Sequence, residues 1–253
     1  MDTQTKNLKY TFPLALTFLT KIPWPGTIQA QPQDLARAMV WFPWVGAILG
    51  LVYLAAWTGF NGLLPGPASA ALLVCLTVLL TGGLHLDGLA DTVDGLGGGQ
   101  NPEERLLIMK DSRVGAFGVM SLILVLLAKF ALFMAAGQKG VRADFILFPI
   151  VSRWGMVYLA YLSRYARKEG GLGEAMTNGI SRQTAVGATL STLVLALLVF
   201  GLRGLVVLVG AEVLVWLLSR FFKRKLGGIT GDVLGAVNEI MEVAVLGGVL
   251  LLV

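Results

Sequence analysis

Long apolar segments, separated by short polar ones, dominate the chain. Seven of them approach the roughly 20 mostly apolar residues that a helix needs to cross a bilayer. They are Ala38–Trp57, Ala68–Leu84, Val114–Ala136, Phe145–Leu162, Ala185–Gly201, Leu205–Leu218 and Val233–Val253. We expect the fifth and the short sixth segment to form a tight helical hairpin that turns at Leu202–Gly204, and Tyr10–Leu19 to lie along the membrane interface. The pattern predicts an all-α, polytopic integral membrane protein with one membrane-embedded domain over residues 1–253.

The composition supports a membrane protein. Hydrophobic residues make up 56% of the 253 residues and charged residues 14%, and the mean hydropathy is +0.76. Too little polar surface remains to cover a water-soluble core. No nucleic-acid-binding motif accompanies the net charge of +5, and the single cysteine, Cys75, excludes an intrachain disulfide. The N-terminal stretch has no small-residue cleavage site, so we predict no signal peptide.

Basic residues predict the orientation. With a cytoplasmic N-terminus and seven alternating spans, only Lys139, Arg142 and Arg203 fall in outer loops. The other loop lysines and arginines, including Lys6 and Lys9, then face the cytoplasm, as the positive-inside rule requires. Three polar inner loops share that side: His85–Arg113, Arg164–Arg182 and Arg220–Asp232. We therefore expect a site at the cytoplasmic membrane surface, acting on soluble substrates.

The most informative motif is acidic. Asp87, Asp91 and Asp94 stand at i, i+4 and i+7, so on a helix they fall within an arc of about 60°. No basic residue lies among them, and carboxylate oxygens suit a hard cation such as Mg²⁺ or Mn²⁺ rather than zinc. The motif predicts metal binding by all three. The alternative is a solvated acidic helix end.

Further candidates lie beside this motif. Lys110 and Arg113 flank Asp111 just before the third span, where they would neutralise phosphate while Asp111 adds a metal ligand or a base. Alternatively they form an ordinary positive-inside anchor. His85, the only histidine, is a candidate general base at neutral pH, or else a structural hydrogen-bonding residue.

A second constellation lies near the C-terminus. Asp232 and Glu239 follow a glycine-rich turn with the seven-residue spacing of Asp87 and Asp94. We hypothesise that both helix starts face one site and that Asp232 and Glu239 contact the substrate. Charges within spans are costly and need partners. Arg153 is the candidate for binding an anionic substrate group, and Lys129 with Glu212 is a candidate structural pair.

Five blocks together resemble the cobalamin synthase family, whose members are adenosylcobinamide-GDP ribazoletransferases. The blocks are Phe18–Pro23, Gly82–Gly95, Ile108–Gly115, Ser152–Trp154 and Gly227–Ala236. They follow the family's order and extend the resemblance over almost the whole chain. The blocks that contain Asp87 and Asp232 are the most specific.

The resemblance implies a Mg²⁺-dependent enzyme of the cell inner membrane that completes the nucleotide loop of vitamin B12. It would join adenosylcobinamide-GDP to α-ribazole, or to its 5′-phosphate, and release GMP. Asp87, Asp91, Asp94 and Asp111 would bind the metal, and Lys110, Arg113 and Arg153 would neutralise phosphate. Asp94 or His85 would take the proton of the attacking hydroxyl. The oligomeric state, including a homo-oligomer, stays open.

Two alternatives remain at this point. The run Asp91–Gly95 matches the opening of the motif of CDP-alcohol phosphotransferases, but the Ala-Arg that follows in that family is missing. A divalent-cation transporter would also need acids in the membrane. It would place them in the middle of a span, whereas Asp87 and Asp94 fall at a predicted span end.

Overall fold

The computed structural model describes the backbone of residues 3–253 and the side chains from Tyr10 onward, so the predictions for Lys6 and Lys9 lie outside the described side chains. The described chain forms eleven α-helices and no β-strand, which confirms the predicted fold class. The helices are α1 Thr3–Leu19, α2 Pro32–Ala38, α3 Phe42–Leu63, α4 Gly66–Thr81, α5 Leu84–Gly98, α6 Pro102–Ile108, α7 Ala116–Lys139, α8 Arg142–Leu162, α9 Leu172–Gly179, α10 Arg182–Leu226 and α11 Gly231–Leu251.

Five helices of the described chain are long and apolar enough to cross a membrane, or six if the bent pair α4–α5 is one span. The longest of them, α10, is interrupted at Gly201, whose φ of 59° and ψ of −145° are not helical. We call its parts α10a (182–200) and α10b (202–226). A Cβ atom on Gly204 would collide with the carbonyl oxygen of Ala196, although residues eight apart on a straight helix are about 12 Å apart. The chain therefore reverses near Gly201, which confirms the predicted hairpin but places its break just before the predicted turn at Leu202–Gly204.

Two helices extend well past their predicted ends. The helix α3 continues to Leu63, past the predicted end at Trp57. Trp57 is buried and stacks on Phe145 at 5.0 Å, so it packs inside the bundle instead of marking a membrane boundary. The helix α10b continues to Leu226. Its last turn carries lysine and arginine, which are favourable at a helix C-terminus, so most of the predicted loop Arg220–Asp232 is helical.

The helix α8 is the centre of the bundle and packs against α3, α10 and α11. Its contact with α3 is close because α3 presents glycine. A Cβ atom on Gly50 would lie 2.7 Å from the Cα atom of Ile146. Small residues at such a crossing allow two membrane helices to approach closely. In contrast, α7 turns apolar side chains such as Ile123 and Leu124 outward, as a lipid-facing helix does.

The polar loops meet at one end of the bundle, which we call the loop face: residues 99–115, 163–181 and 227–230. The Arg105 guanidinium donates to the Lys225 carbonyl at 2.9 Å, which joins the first loop to the end of α10b. The backbone N–H of Ile229 donates to the Arg164 carbonyl at 2.9 Å, which joins the second loop to the third. The predicted meeting of the three loops is therefore confirmed.

Candidate active site at the loop face

A double-glycine turn sets the direction of the acidic helix. Gly82 and Gly83 both adopt left-handed φ angles, 63° and 72°, which side chains other than glycine rarely adopt. The turn bends α5 by 90° from α4. Contacts with the first residues of α7 and α11 show that α5 lies across the ends of these two spans. The prediction that the three aspartates stand on a helix entered through a glycine-rich turn is confirmed.

Glycines bring α5 against α11. A Cβ atom on Gly88 would lie 2.6 Å from the Asp232 carbonyl oxygen, and one on Gly235 would lie 3.2 Å from the Cα atom of His85. The two helix starts are therefore in contact, as the hypothesis of one shared site requires. Asp232 lies in the first turn of α11, where Thr230 caps the helix by accepting a hydrogen bond from the Val233 N–H.

Three carboxylates lie together at the start of α11: Asp87 and Asp91 of α5, and Asp232 of α11 itself. Asp87 is exposed and Asp91 is half-buried. Partial burial raises the pKa of Asp91 to about 6, and the negative charges of Asp87 and Asp232 contribute to this rise. The site therefore holds more negative charge than its own cations neutralise, which favours a bound cation.

Asp94 has a structural contact that the sequence did not predict. One of its carboxylate oxygens accepts from the backbone N–H of Gly115 at 2.7 Å, and the other accepts from Gly118 at 2.8 Å. Gly115 is the N-cap of α7, so Asp94 satisfies N–H groups that the helix itself leaves unpaired. The buried carboxylate thus fastens α5 to the start of α7.

The carboxylates suit a divalent hard cation in their chemistry. No three acidic, histidine or cysteine side chains of the described chain lie close enough to hold a metal ion by themselves. Magnesium is usually bound by one or two carboxylates together with substrate phosphate oxygens. The two less buried aspartates, Asp87 and Asp91, fit that arrangement. Metal binding by Asp87, Asp91, Asp94 and Asp111 stays a prediction.

The predicted phosphate-binding residues at the surface are paired with acids. Lys110 forms an ion pair with Glu169, and Arg113 forms one with Asp111 at 2.6 Å. Hydrogen bonds from Arg113 lower the pKa of Asp111 to about 2. Exposed pairs of this kind contribute little to stability, so Lys110 and Arg113 can exchange their partners for phosphate at small cost.

Four charged residues within the spans form one buried network. Lys129 contacts Glu239 and Glu242, at 2.6 Å each, and Arg153 contacts Glu242. All four side chains are almost fully buried.

The network places three predicted residues differently from the sequence analysis. Arg153 has Glu242 as its anion and Glu239 has Lys129 as its cation. Contact of either residue with a substrate stays a prediction. The predicted Lys129–Glu212 pair is wrong, because Glu212 instead accepts a hydrogen bond from the Tyr158 hydroxyl.

His85 connects this network to α5. Its side chain is buried, and its Nδ1 atom lies 3.1 Å from Asn238 Nδ2, which also donates to Glu242. Since the Asn238 amino group donates, His85 Nδ1 accepts and the proton of the neutral ring lies on Nε2. This contact agrees with the structural alternative for His85. Its role as a general base stays a prediction.

Two cations at this site had no role predicted from sequence. Arg167 forms an ion pair with Asp232 at 2.8 Å and also donates to the Met109 carbonyl. Lys21 packs against Gly82 and lines a cavity together with Asp87. Both had been counted only as positive-inside charges. In the sequence, the proline after Ile22 marks the segment that contains Lys21. The run of basic residues around Arg167 marks the other segment.

Comparisons with known proteins agree with the resemblance. The family model of cobalamin-5-phosphate synthase matches residues 11–250. The adenosylcobinamide-GDP ribazoletransferase of Syntrophobacter fumaroxidans is 46% identical over 240 residues, which are 93% of this chain and 96% of the relative. The proteins of the same name from Geotalea daltonii and Pseudomonas syringae pv. syringae are 41% and 40% identical, covering 91% and 93% of this chain and 92% and 96% of theirs. No solved structure matches the chain.

These matches extend over nearly all of the chain, including the blocks that contain Asp87 and Asp232. They favour the cobalamin synthase interpretation over the CDP-alcohol phosphotransferase and the cation transporter. The chain belongs to the cobalamin-5-phosphate synthase family and is a membrane transferase of cobalamin biosynthesis.

Proposed function

We propose that this enzyme transfers the adenosylcobinamide-phosphoryl group of adenosylcobinamide-GDP to a ribose hydroxyl of α-ribazole, or of α-ribazole 5′-phosphate, and releases GMP. The names of the relatives support these substrates. The structural observation that carries the proposal is the contact of α5 with α11, which gathers Asp87, Asp91 and Asp232 at the loop face.

Magnesium is the metal that the donor set fits, with Mn²⁺ as a substitute. Asp87 and Asp91 would hold it, and the diphosphate of the donor would complete its coordination. When bound, the ion would neutralise charge on the phosphate oxygens. Asp94, whose two oxygens already accept backbone N–H groups, would contribute by fixing α5 in place.

The chain's own residues would position and neutralise the reactants. Lys21 and Arg167 flank the carboxylates, and Lys110 and Arg113 stand nearby on the same face of the bundle. Their charges would stabilise the diphosphate as the ribose oxygen bonds to the phosphorus next to the cobinamide. The bond from that phosphorus to the bridging oxygen breaks, GMP leaves, and the proton of the hydroxyl is released to solvent. Such transfers depend on positioning and electrostatics more than on covalent catalysis.

The proposed reaction would take place at the surface of the membrane. The excess of lysine and arginine in the polar loops supports a cytoplasmic loop face in the cell inner membrane. The soluble nucleotide and nucleoside would then approach from the cytoplasm, while the helices remain in lipid.

The test is GMP release by the purified protein in detergent, given adenosylcobinamide-GDP and α-ribazole with Mg²⁺ or with EDTA. We expect GMP and a cobalamin product in equal amounts, with Mg²⁺ only. GMP formation that does not depend on the acceptor would contradict transfer. Turnover of a CDP-alcohol in its place would contradict the substrate assignment.

A further inference from the structure

A small pocket lies beside the carboxylates and is lined by α5, α9 and α11, with one residue each from α1 and α8. Its volume is 170 Å³, and its lining includes Phe18, His85, Asp87, Met156, Met176 and Asp232. Because Asp87 is exposed and Asp232 is partly exposed, the pocket opens at the carboxylates. Met156, Met176 and His85 are each no more than 2% exposed and form its buried part.

The buried part offers apolar surface and the His85 ring. Methionine sulfur and the Phe18 ring make favourable contacts with aromatic rings. His85 Nε2 is buried and has no hydrogen-bond partner among the described residues. Since Nδ1 accepts from Asn238, Nε2 carries the proton and is a donor. A buried donor without a partner is costly and is unusual in native proteins. The pocket therefore suits an aromatic ligand with a single acceptor.

We propose that this pocket binds the benzimidazole base of the ribazole acceptor, and that the His85 Nε2–H group donates to the unsubstituted ring nitrogen of the base. This inference rests on the proposed function and names the subsite for one of its two substrates. The base is flat and apolar, and its one free ring nitrogen is an acceptor. With the base in the pocket, the ribose emerges at Asp87 and Asp232, where the phosphoryl group is transferred.

Size and polarity both argue against binding of the corrin ring or of guanine in this pocket. An apolar cavity of about 150 Å³ holds one benzene molecule, so this open pocket fits a heteroaromatic base but not a corrin ring. Guanine would need acceptors for its N1–H and amino groups in the buried part of the pocket. The carboxylates lie at the mouth instead, and Asp232 is already paired with Arg167. In this account His85 determines specificity and positions the acceptor.

The first test uses an acceptor in which a C–H group replaces the free ring nitrogen, the α-riboside of dimethylindole. Its dissociation constant is compared with that of α-ribazole, for the full-length protein and for His85→Leu. We expect the wild-type protein to bind α-ribazole about 5- to 100-fold more tightly, because the indole leaves a buried donor unpaired. His85→Leu should bind the two compounds about equally. The same preference in both proteins would overturn the proposal.

A second variant keeps the test valid if His85→Leu does not fold. Met176→Ala removes apolar contact with the base and should raise KM for α-ribazole about three- to tenfold. KM for adenosylcobinamide-GDP should change less than twofold. Met120→Ala, the same change at an outward-facing site on α7, is the matched control and should change neither. A raised KM for adenosylcobinamide-GDP alone would place guanine in the pocket and overturn the proposal. Absence of any GMP release by the wild-type protein would instead refute the proposed function.

Discussion

Gly88 of α5 lies directly against the backbone of Asp232 of α11: a Cβ atom on Gly88 would stand 2.6 Å from the Asp232 carbonyl oxygen. This contact brings the acidic motif and the C-terminal aspartate into one site. The neighbouring atom belongs to backbone within a helix, so it cannot move aside as a flexible side chain would. The proposed site therefore depends on the absence of a side chain at this position.

We predict that Gly88→Ala separates α5 from α11, destabilises the protein by about 1–3 kcal/mol and reduces GMP release strongly. Thermal unfolding in detergent and the activity assay measure the two effects. Gly247→Ala is the matched control, because a Cβ atom there meets nothing within 4 Å. An active and equally stable Gly88→Ala protein would contradict the described contact.

Asp94→Asn tests whether the carboxylate acts as a helix cap. The amide has one acceptor oxygen, so one of the N–H groups of Gly115 and Gly118 is left without an acceptor. The expected loss of stability is about 1–3 kcal/mol, and it should be equal with Mg²⁺ and with EDTA. Glu103→Gln, at an exposed acid on α6, should unfold like the wild-type protein. A loss confined to the magnesium-bound protein would favour a metal ligand instead.

The buried network contains two cations and two anions, and its stability should depend on this balance of charge. Lys129→Met leaves a surplus negative charge in the bundle and should destabilise the protein by about 3–5 kcal/mol. Adding Glu239→Gln restores the balance and should recover part of the loss. A double-mutant cycle of unfolding midpoints measures this coupling. Strictly additive effects would show that Lys129 and Glu239 do not interact.

Hydrophobic pattern was enough to predict the apolar helices approximately, because a run of apolar residues of a given length has few alternatives in a membrane. It also predicted the hairpin, with the turn at Leu202–Gly204 in place of the observed break at Gly201. The spacing of Asp87, Asp91 and Asp94 likewise predicted their shared helix. Helix ends were less accurate. The predicted segment ended at Trp57, whereas this residue stacks on Phe145 inside the bundle, and that stacking depends on tertiary packing.

Partners of buried charges could not be predicted. Lys129 was considered with Glu212, although its anions are Glu239 and Glu242, about thirty residues further along the chain. A sequence records that a charge in a span needs a partner but not which helix supplies it. The same limit explains why Arg153 looked available for phosphate, and why Arg167 received no role before its contact with Asp232 was known.

The central claim is that Asp87 and Asp91 hold the metal that phosphoryl transfer requires. The most direct measurement is the Mg²⁺ concentration dependence of GMP release from adenosylcobinamide-GDP and α-ribazole, for Asp87→Asn and Asp91→Asn beside the Glu103→Gln control. We predict that each aspartate variant lowers the rate by at least about 10- to 100-fold, the range seen even for residues that only support a metal ligand. Each variant should also need more Mg²⁺ for half-maximal rate. The control should match the wild-type enzyme. Wild-type rates and an unchanged Mg²⁺ requirement in both aspartate variants would contradict the account.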